Sequence, residues 1–335
     1  MELTASELAA GRDYPRGWCE FLDWFPSEDK CLAYLERLRW GQGFICPKCE
    51  EPGEPFRLSR GRLMCRYCRY QCTVTAGTIF DKTRTPLRVW FAAVWYLTNQ
   101  KQGVSALGLQ RVLGLGSYQT AWAMLHRLRR AMVRQERTRL QGTVEIDETY
   151  VGVPDPKRGI KKRAWGPLTG THVVIAVEVL EPKGFGRIRL RRIGGRDEVQ
   201  IFPFVRETVE LGSCVRTDGS AAYRSLNEEG YIHTPVVHLG SATPAHHSMP
   251  GVHRVAALLK RWLMGTHHGA VKMEQLDYYL DEFTFRFNRR SSRSRGLLFY
   301  RLLTQAVATG PVTYDLITHR KRPPPKMMGV VELSG

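Results

Sequence analysis

Thr143-Val-Glu-Ile-Asp147 is a β-prone run that ends in an acid. Its reading decides the fold. The segments after it alternate between strand and helix character. Thr171-His-Val-Val-Ile-Ala-Val-Glu-Val179 is apolar and β-branched, which suits a buried strand. Gly186-Arg-Ile-Arg-Leu-Arg-Arg-Ile193 alternates basic and apolar residues, which suits a half-buried strand. Asp197 to Leu211 reads as a helix, and Ser213-Cys-Val-Arg-Thr-Asp218 as a further strand that ends in an acid. Ala221 to Glu229, Val252 to Met264 and Met273 to Asn288 read as helices, the last of them amphipathic. Three strands, a helix, a strand and more helices predict a mixed α/β domain.

Upstream the chain changes character. Cys46-Pro-Lys-Cys49 and Cys65-Arg-Tyr-Cys68 are two pairs separated by fifteen residues. Each spacing lets two thiolates face one ion from a tight turn, so the four predict a structural zinc site. A ribbon this small buries little core, and zinc would supply its folding energy. Cys72 is not assigned to the metal. Before the ribbon, Cys31 to Trp40 has apolar residues at helical spacing, ended by Gly41 and Gly43.

After the ribbon, Thr85-Pro86 opens a helix that runs to about Gln102. Ser105 caps a helix over Ala106 to Leu113, Gly114-Leu-Gly-Ser117 turns the chain, and a longer helix begins at Tyr118 and runs to about Arg137. A short helix, a glycine turn and a basic helix predict a helix-turn-helix. Gln119, Arg127, Arg130 and Arg134 are its candidate DNA contacts. The alternative is a three-helix spacer with no groove contact.

The composition agrees with a DNA partner. The 335 residues hold 50 basic and 32 acidic side chains, a net charge of +18. Such an excess points to a polyanion, and phosphate neutralisation is the main affinity term for nucleic acid. No apolar run of membrane-spanning length is present, and Met1 to Arg16 lacks a secretory pattern. The expected location is the cytoplasm, in association with DNA. The tail His319-Arg-Lys-Arg-Pro-Pro-Pro-Lys326 is basic, proline-rich and expected to be disordered.

Asp147 and Asp218 are the candidate catalytic pair. Each sits at or just after the end of a predicted strand. Carboxylates converging from neighbouring strands suit Mg²⁺, which keeps its waters for substrate phosphates. Two metals held this way serve phosphodiester chemistry. Two acids 71 positions apart prove little alone; their strand-end contexts and the basic chain raise them. Alternation is read as placing Glu145 and Glu148 on the opposite face from Asp147, as exposed or supporting groups.

These motifs together resemble the zinc-ribbon DDE transposases of small bacterial insertion sequences, the ISXO2-like (IS1595) group. The resemblance covers nearly the whole chain. It rests on the two cysteine pairs, Thr75-Ala-Gly-Thr-Ile-Phe80, Val144-Glu-Ile-Asp-Glu-Thr149, Thr217-Asp-Gly219 and Gly251-Val-His-Arg-Val255. Leu259-Lys-Arg-Trp-Leu263 and Phe285-Arg-Phe-Asn-Arg-Arg290 complete it.

The resemblance implies a ribonuclease H-like catalytic fold and cut-and-join chemistry at element ends. It also implies a third metal ligand on a following helix, commonly Glu, with Lys or Arg seven residues later. Here that position falls on His253, 35 residues after Asp218, with Lys260 seven further on and Arg261 beside it. Seven residues are two helical turns, so His253 and Lys260 share a face. His253 could ligate through a ring nitrogen, favouring Mn²⁺ somewhat more than a carboxylate would. Lys260 could meet a DNA phosphate. The alternatives are a capping or core histidine at 253, with Glu274, Asp277 or Glu282 as the third acid.

The organisation expected is a helical segment over 1–43, a zinc ribbon over 44–80 and a helix-turn-helix region over 81–140. A catalytic domain over 141–310 and a basic tail over 311–335 follow. The expected partners are double-stranded DNA, both element ends and target, and a second copy of the chain on DNA. The rival functions are a domesticated, inactive DNA-binding protein and an endonuclease or resolvase that cleaves without joining.

Overall fold

The computed structural model describes residues 8–134, 137–153, 169–236, 248–268 and 271–318. It divides into two compact units. One comprises Met1–Gln135 with Ser292–Gly335, the other Glu136–Ser291. Residues 154–168 and 237–247, and the basic tail from 319, lie outside the described residues.

The first unit is helical around an aromatic core. Helices α1 (Trp18–Trp24) and α2 (Glu28–Arg39) precede the ribbon, and α3 (Leu87–Asn99), α4 (Ala106–Leu113) and α5 (Tyr118–Ala131) follow it. Phe21, Phe25, Tyr34, Phe91, Trp95 and Phe299 pack ring on ring; the Phe25–Phe91 centroids lie 4.8 Å apart and those of Phe21 and Phe299 5.5 Å apart. Edge-to-face geometry of this kind adds to area burial. The Glu28 carboxylate accepts from the amides of Leu87 at 2.7 Å and Arg88 at 3.2 Å, so α2 caps the start of α3. Ser105 caps α4 through the Gly108 amide, and Gly114 ends it in the left-handed region at φ 62°.

Two helices follow that the sequence reading did not single out: α9 (Arg295–Ala308) and α10 (Tyr314–Thr318). Helix α9 packs on α2, α3 and α5. Phe299, Leu302 and Leu303 are fully buried there, and a Cβ on Gly296 would lie 1.8 Å from the Pro15 carbonyl oxygen. The expected catalytic boundary at residue 310 is therefore corrected: the second unit ends at Ser291. The apolar face of α9 is buried by aromatic side chains far upstream in sequence.

The second unit is a five-stranded sheet with helices on both faces. Its strands are β4 (Thr143–Val153), β5 (Thr169–Val179), β6 (Phe185–Ile193), β7 (Cys214–Thr217) and β8 (Ile232–Pro235), after the ribbon strands β1 (Phe56–Arg57), β2 (Arg62–Met64) and β3 (Gln71–Thr73). The order is β6-β5-β4-β7-β8. Strands β4, β5 and β6 pair antiparallel, while β7 runs parallel to β4 and β8 parallel to β7. This mixed order, with β5 alone running against the rest, is the ribonuclease H-like arrangement.

Strand β4 is longer than expected and continues six residues beyond Asp147. One face of the sheet carries Val151, Val173, Ile175 and Val177 against α7 (Pro250–His267) and α8 (Leu276–Asn288). The other carries Val144, Ile146, Val174 and Ala176 against α6 (Glu198–Thr208) and the 3-10 segment Ala221–Asn227. Two-sided burial explains the almost unbroken apolar run of β5.

The motif around Phe285 stitches α8 to the edge strand β6. Asn288 Oδ1 accepts from the Ile188 amide at 2.7 Å, and its Nδ2 donates to the Ile188 carbonyl at 3.2 Å. Arg289 and Arg290 lie over the Phe285 and Phe287 rings, each 4.1 Å from the centroid. Core packing thus absorbs this motif. Among the described residues no helix is long and apolar enough to cross a membrane.

Candidate active site

The zinc ribbon folds around two knuckles of the same design. Strands β1 (Phe56–Arg57), β2 (Arg62–Met64) and β3 (Gln71–Thr73) form its antiparallel sheet. The second knuckle is the β2–β3 hairpin loop, and the first is closed by the Ile45–Pro52 bridge. Glu50 and Arg69, each just after the second cysteine of its pair, take φ of 61° and 58°. That left-handed step turns the chain back so both sulfurs face inward.

The Cys46, Cys49, Cys65 and Cys68 sulfurs all lie within 4.8 Å of one another. Cys46 and Cys68 are 3.6 Å apart, and Cys49 and Cys65 3.7 Å. A tetrahedron of sulfurs about 2.3 Å from zinc has edges of about 3.8 Å, so the four fit the ion. Burial would raise the Cys46 thiol, but the Cys49 and Lys48 amides hold it down to about 7. Cys72 is buried and outside this group.

In the second unit the strand register aligns the two acids. In the parallel β4–β7 pair, Thr143 faces Cys214, Val144 faces Val215 and Glu145 faces Arg216. Each partner is 71 residues on, and the same offset, continued two steps past the last pair, points from Asp147 to Asp218, the residue just after β7. Asp147 lies mid-strand, paired with Ile175 of β5, which corrects the expectation of a strand end; Asp218 directly follows β7.

The electrostatics show the acids as neighbours. Burial pushes the Asp147 carboxyl up to about 6, and the charges of Glu148 and Asp218 add to the rise. The Glu148 amide, donating to Asp147 Oδ1 at 2.7 Å, and Arg196 oppose it. Arg196 Nε lies 2.9 Å from Glu148 Oε2, and a terminal nitrogen lies 3.8 Å from Asp218 Oδ2. Glu148 also accepts from the Tyr223 hydroxyl, and its side chain is 1% exposed against 49% for Arg196. Three carboxylates and one guanidinium therefore share this end of the sheet.

Glu145 is fully buried on the same face as Asp147. The expectation that it lies opposite is corrected: strand periodicity is two, so 145 and 147 point one way and only Glu148 points the other. Its Oε2 accepts from the Val252 amide at 3.0 Å in the first turn of α7. Burial raises its pKa, and the Val252 and Gly251 amides draw it back.

His253, half-buried, is the next residue of that turn; Lys260 is half-buried two turns on, and Arg261 is exposed. Asp147, Asp218 and His253 do not close into a set with all ligand atoms within 4.8 Å; among the described residues only the cysteines do. Two of the alternative acids, Asp277 and Glu282, are engaged in ion pairs. Asp277 pairs with Arg192 at 3.3 Å, and the fully buried Glu282 pairs with Arg286 at 2.8 Å.

The predicted DNA contacts on α5 separate. Tyr118, Gln119 and Thr120 are exposed in its first turn, where Ser117 Oγ donates to Gln119 Oε1 at 2.7 Å. Arg127 is half-buried and donates from Nε to the Val312 carbonyl at 2.8 Å. Arg130 is half-buried, and Arg134, though exposed, meets the Gln305 amide oxygen at 3.1 Å in the orientation that satisfies both groups. Helices α9 and α10 pack against this helix, so of the four candidates Arg127 is drawn inward while Gln119 stands in the open N-terminal turn.

Comparison with known proteins now adds to this geometry. The ISXO2-like transposase domain matches residues 139–288, the whole sheet with α7 and α8, and the transposase zinc-ribbon domain matches residues 26–71. Together they span more than half of the chain.

The chain carries an ISXO2-like transposase domain behind a transposase zinc ribbon.

A relative of this transposase is a protein of the transposable element ISH50 of Halobacterium salinarum, 28% identical over 277 residues, covering 78% of this chain and 91% of that one. Among solved structures, the Mos1 transposase paired-end complex with left transposon end shares 12% identity over 69% of this chain and 76% of that one, at a TM-score of 0.24. A likeness at that score says nothing about how this transposase works. Sequence reasoning missed Arg196, Tyr223 and the burial of Glu145. Period-two alternation carried the signal for Glu145; Arg196 and Tyr223 reach the site through the fold alone.

Proposed function

We propose that this transposase binds the terminal inverted repeats of an insertion sequence, cleaves the phosphodiester at each element end and joins the freed 3′-hydroxyl to target DNA. The convergence of Asp147, on β4, and Asp218, just after the neighbouring parallel strand β7, carries the reading. Asp147, Asp218 and His253 would hold Mg²⁺ or Mn²⁺. The donor set fits: two hard carboxylate oxygens of like charge, one of them desolvated, gain from a divalent cation, and an imidazole suits Mn²⁺. Bound metal supplies polarisation of the phosphate and a more acidic attacking water.

The chain's own groups do the rest. Burial of Asp147 strengthens its interaction with cations. Lys260, Arg261 and Arg196 offer positive charge to the DNA backbone. In the first unit, Gln119 and Tyr118 at the open turn of α5 sit where a recognition helix meets base edges, and the zinc ribbon adds a second contact. Two ends must be held together, so the active species on DNA is at least a dimer.

His253 in place of a carboxylate, and the absence of a close three-ligand set among the described residues, favour one rival, an inactive DNA-binding relative. Incubation of the full chain with a labelled duplex of the element end separates the two. With Mn²⁺, cleavage to a 3′-hydroxyl that Asp147→Asn and Asp218→Asn abolish supports the enzyme. Tight, salt-sensitive binding with no cleavage in either metal supports the rival.

A further inference from the structure

We infer that Glu145 is a positioning residue, a clamp from the central strand that fixes the first turn of α7 and so sets where His253 stands relative to Asp147. This rests on the reading of His253 as the third ligand. The first turn of α7 lacks a cap of its own. Its N-cap residue, Met249, makes no side-chain cap bond, and Pro250 at the first position has no N–H to offer. The amides that follow therefore need an acceptor from elsewhere.

Glu145 provides it from across the core, 107 residues away in sequence, at 3.0 Å. The carboxylate also suits the positive end of the helix dipole. Its other oxygen, Oε1, is buried without a hydrogen-bond partner. A polar group half-used in a core is a costly choice where an apolar side chain would pack. The clamp accounts for that choice. Gly251 matches it: a Cβ there would lie 2.8 Å from Glu145 Oε2 and 3.2 Å from the Phe185 ring. Helix and carboxylate approach this closely because residue 251 has no side chain. Glu145 and Asp147 lie two residues apart on one face of β4, and Val252 and His253 are adjacent in α7. One hydrogen bond thus ties the strand that carries the first ligand to the turn that carries the third.

The test uses the full-length, zinc-loaded protein with Glu145→Leu and Glu145→Gln. Leucine keeps the volume and removes the acceptor; glutamine keeps an acceptor. Two readouts are taken: hydrogen exchange of peptides covering the start of α7, and nitrogen coupling in the pulsed electron paramagnetic resonance spectrum of bound Mn²⁺. For Glu145→Leu, first-turn amides are expected to exchange at least about tenfold faster while amides from Val255 onward keep their protection. The histidine nitrogen coupling is expected to fade, and Glu145→Gln to restore both signals. Wild-type exchange and wild-type coupling in Glu145→Leu would overturn the clamp. Coupling that is absent from wild type, or that survives His253→Ala, would instead remove His253 from the ligand set. The exchange comparison would still decide whether Glu145 holds the turn.

Discussion

Asp147 and Asp218 are electrostatic neighbours, the charge of Asp218 helping to raise the Asp147 carboxyl: each paired residue of β4 faces the residue 71 later in β7, and Asp218 is the residue just after β7. Their sequence separation is the register offset itself. Side chains level on neighbouring parallel strands share a face, so a spacing that carries little weight in a bare sequence becomes a shared site once the strands pair.

The burial of Asp147 has a signed consequence for stability. Its pKa in the fold, about 6, lies above the ordinary aspartate value of 3.8. The folded state then holds the extra proton between those values, and the stability this contributes below pH 4 is lost as pH rises through about 6. Without Mg²⁺ or Mn²⁺ but with zinc retained, Asp147→Asn is expected to raise unfolding free energy at pH 7.5 by about 1–2 kcal/mol, discounted for partial exposure. At pH 4 the gain is expected to vanish. Denaturant titrations at both pH values check this, and an equal effect at both would contradict it.

Arg196 competes with a cation for the same carboxylates. It braces Glu148 at 2.9 Å and reaches toward Asp218 at 3.8 Å. Arg196→Gln should leave the acids more negative in their surroundings and tighten Mn²⁺ binding by about threefold to tenfold at pH 8. Calorimetric titration of the zinc-loaded chain measures this. Weaker Mn²⁺ binding would show that Arg196 acts by holding the acids in place.

Asn288 closes the edge of the sheet by bonding both backbone groups of Ile188. Asn288→Ala leaves that amide and carbonyl without partners and should cost about 1–3 kcal/mol. A urea midpoint unchanged from wild type would show that the edge finds other partners at no cost.

Zinc should be separable from the rest of the first unit. A chelator is expected to release one zinc per chain and unfold the ribbon, because the metal supplies most of its folding energy. The aromatic core around Phe91 and Phe299 should persist. Elemental analysis with near-ultraviolet circular dichroism follows both events; loss of the aromatic signal together with zinc would contradict this independence.

Local signals were legible in the sequence. Helix α4 follows its caps to the residue, because Ser105 and Gly114 act on their own neighbours. The cysteine pairs needed only their spacing. Helix α7 lies where the apolar spacing places it. Non-local contacts were not legible. Helix α9 joins the first unit through Phe21 and Phe25, far upstream. Arg127 turns inward because Val312 offers a carbonyl. Arg196 reaches the acids only after β4 and β7 pair. Glu145 was within reach of simple alternation, which places it with Asp147.

The most direct test is strand transfer by the purified full-length chain. A labelled element end and a supercoiled target are incubated with Mg²⁺ or Mn²⁺, beside Asp147→Ala and His253→Ala. Joined product with wild type, and its loss in both variants despite unchanged zinc content and DNA affinity, is the result predicted. Joining that survives Asp147→Ala, or tight DNA binding by wild type with neither nicking nor joining in either metal, would contradict the account.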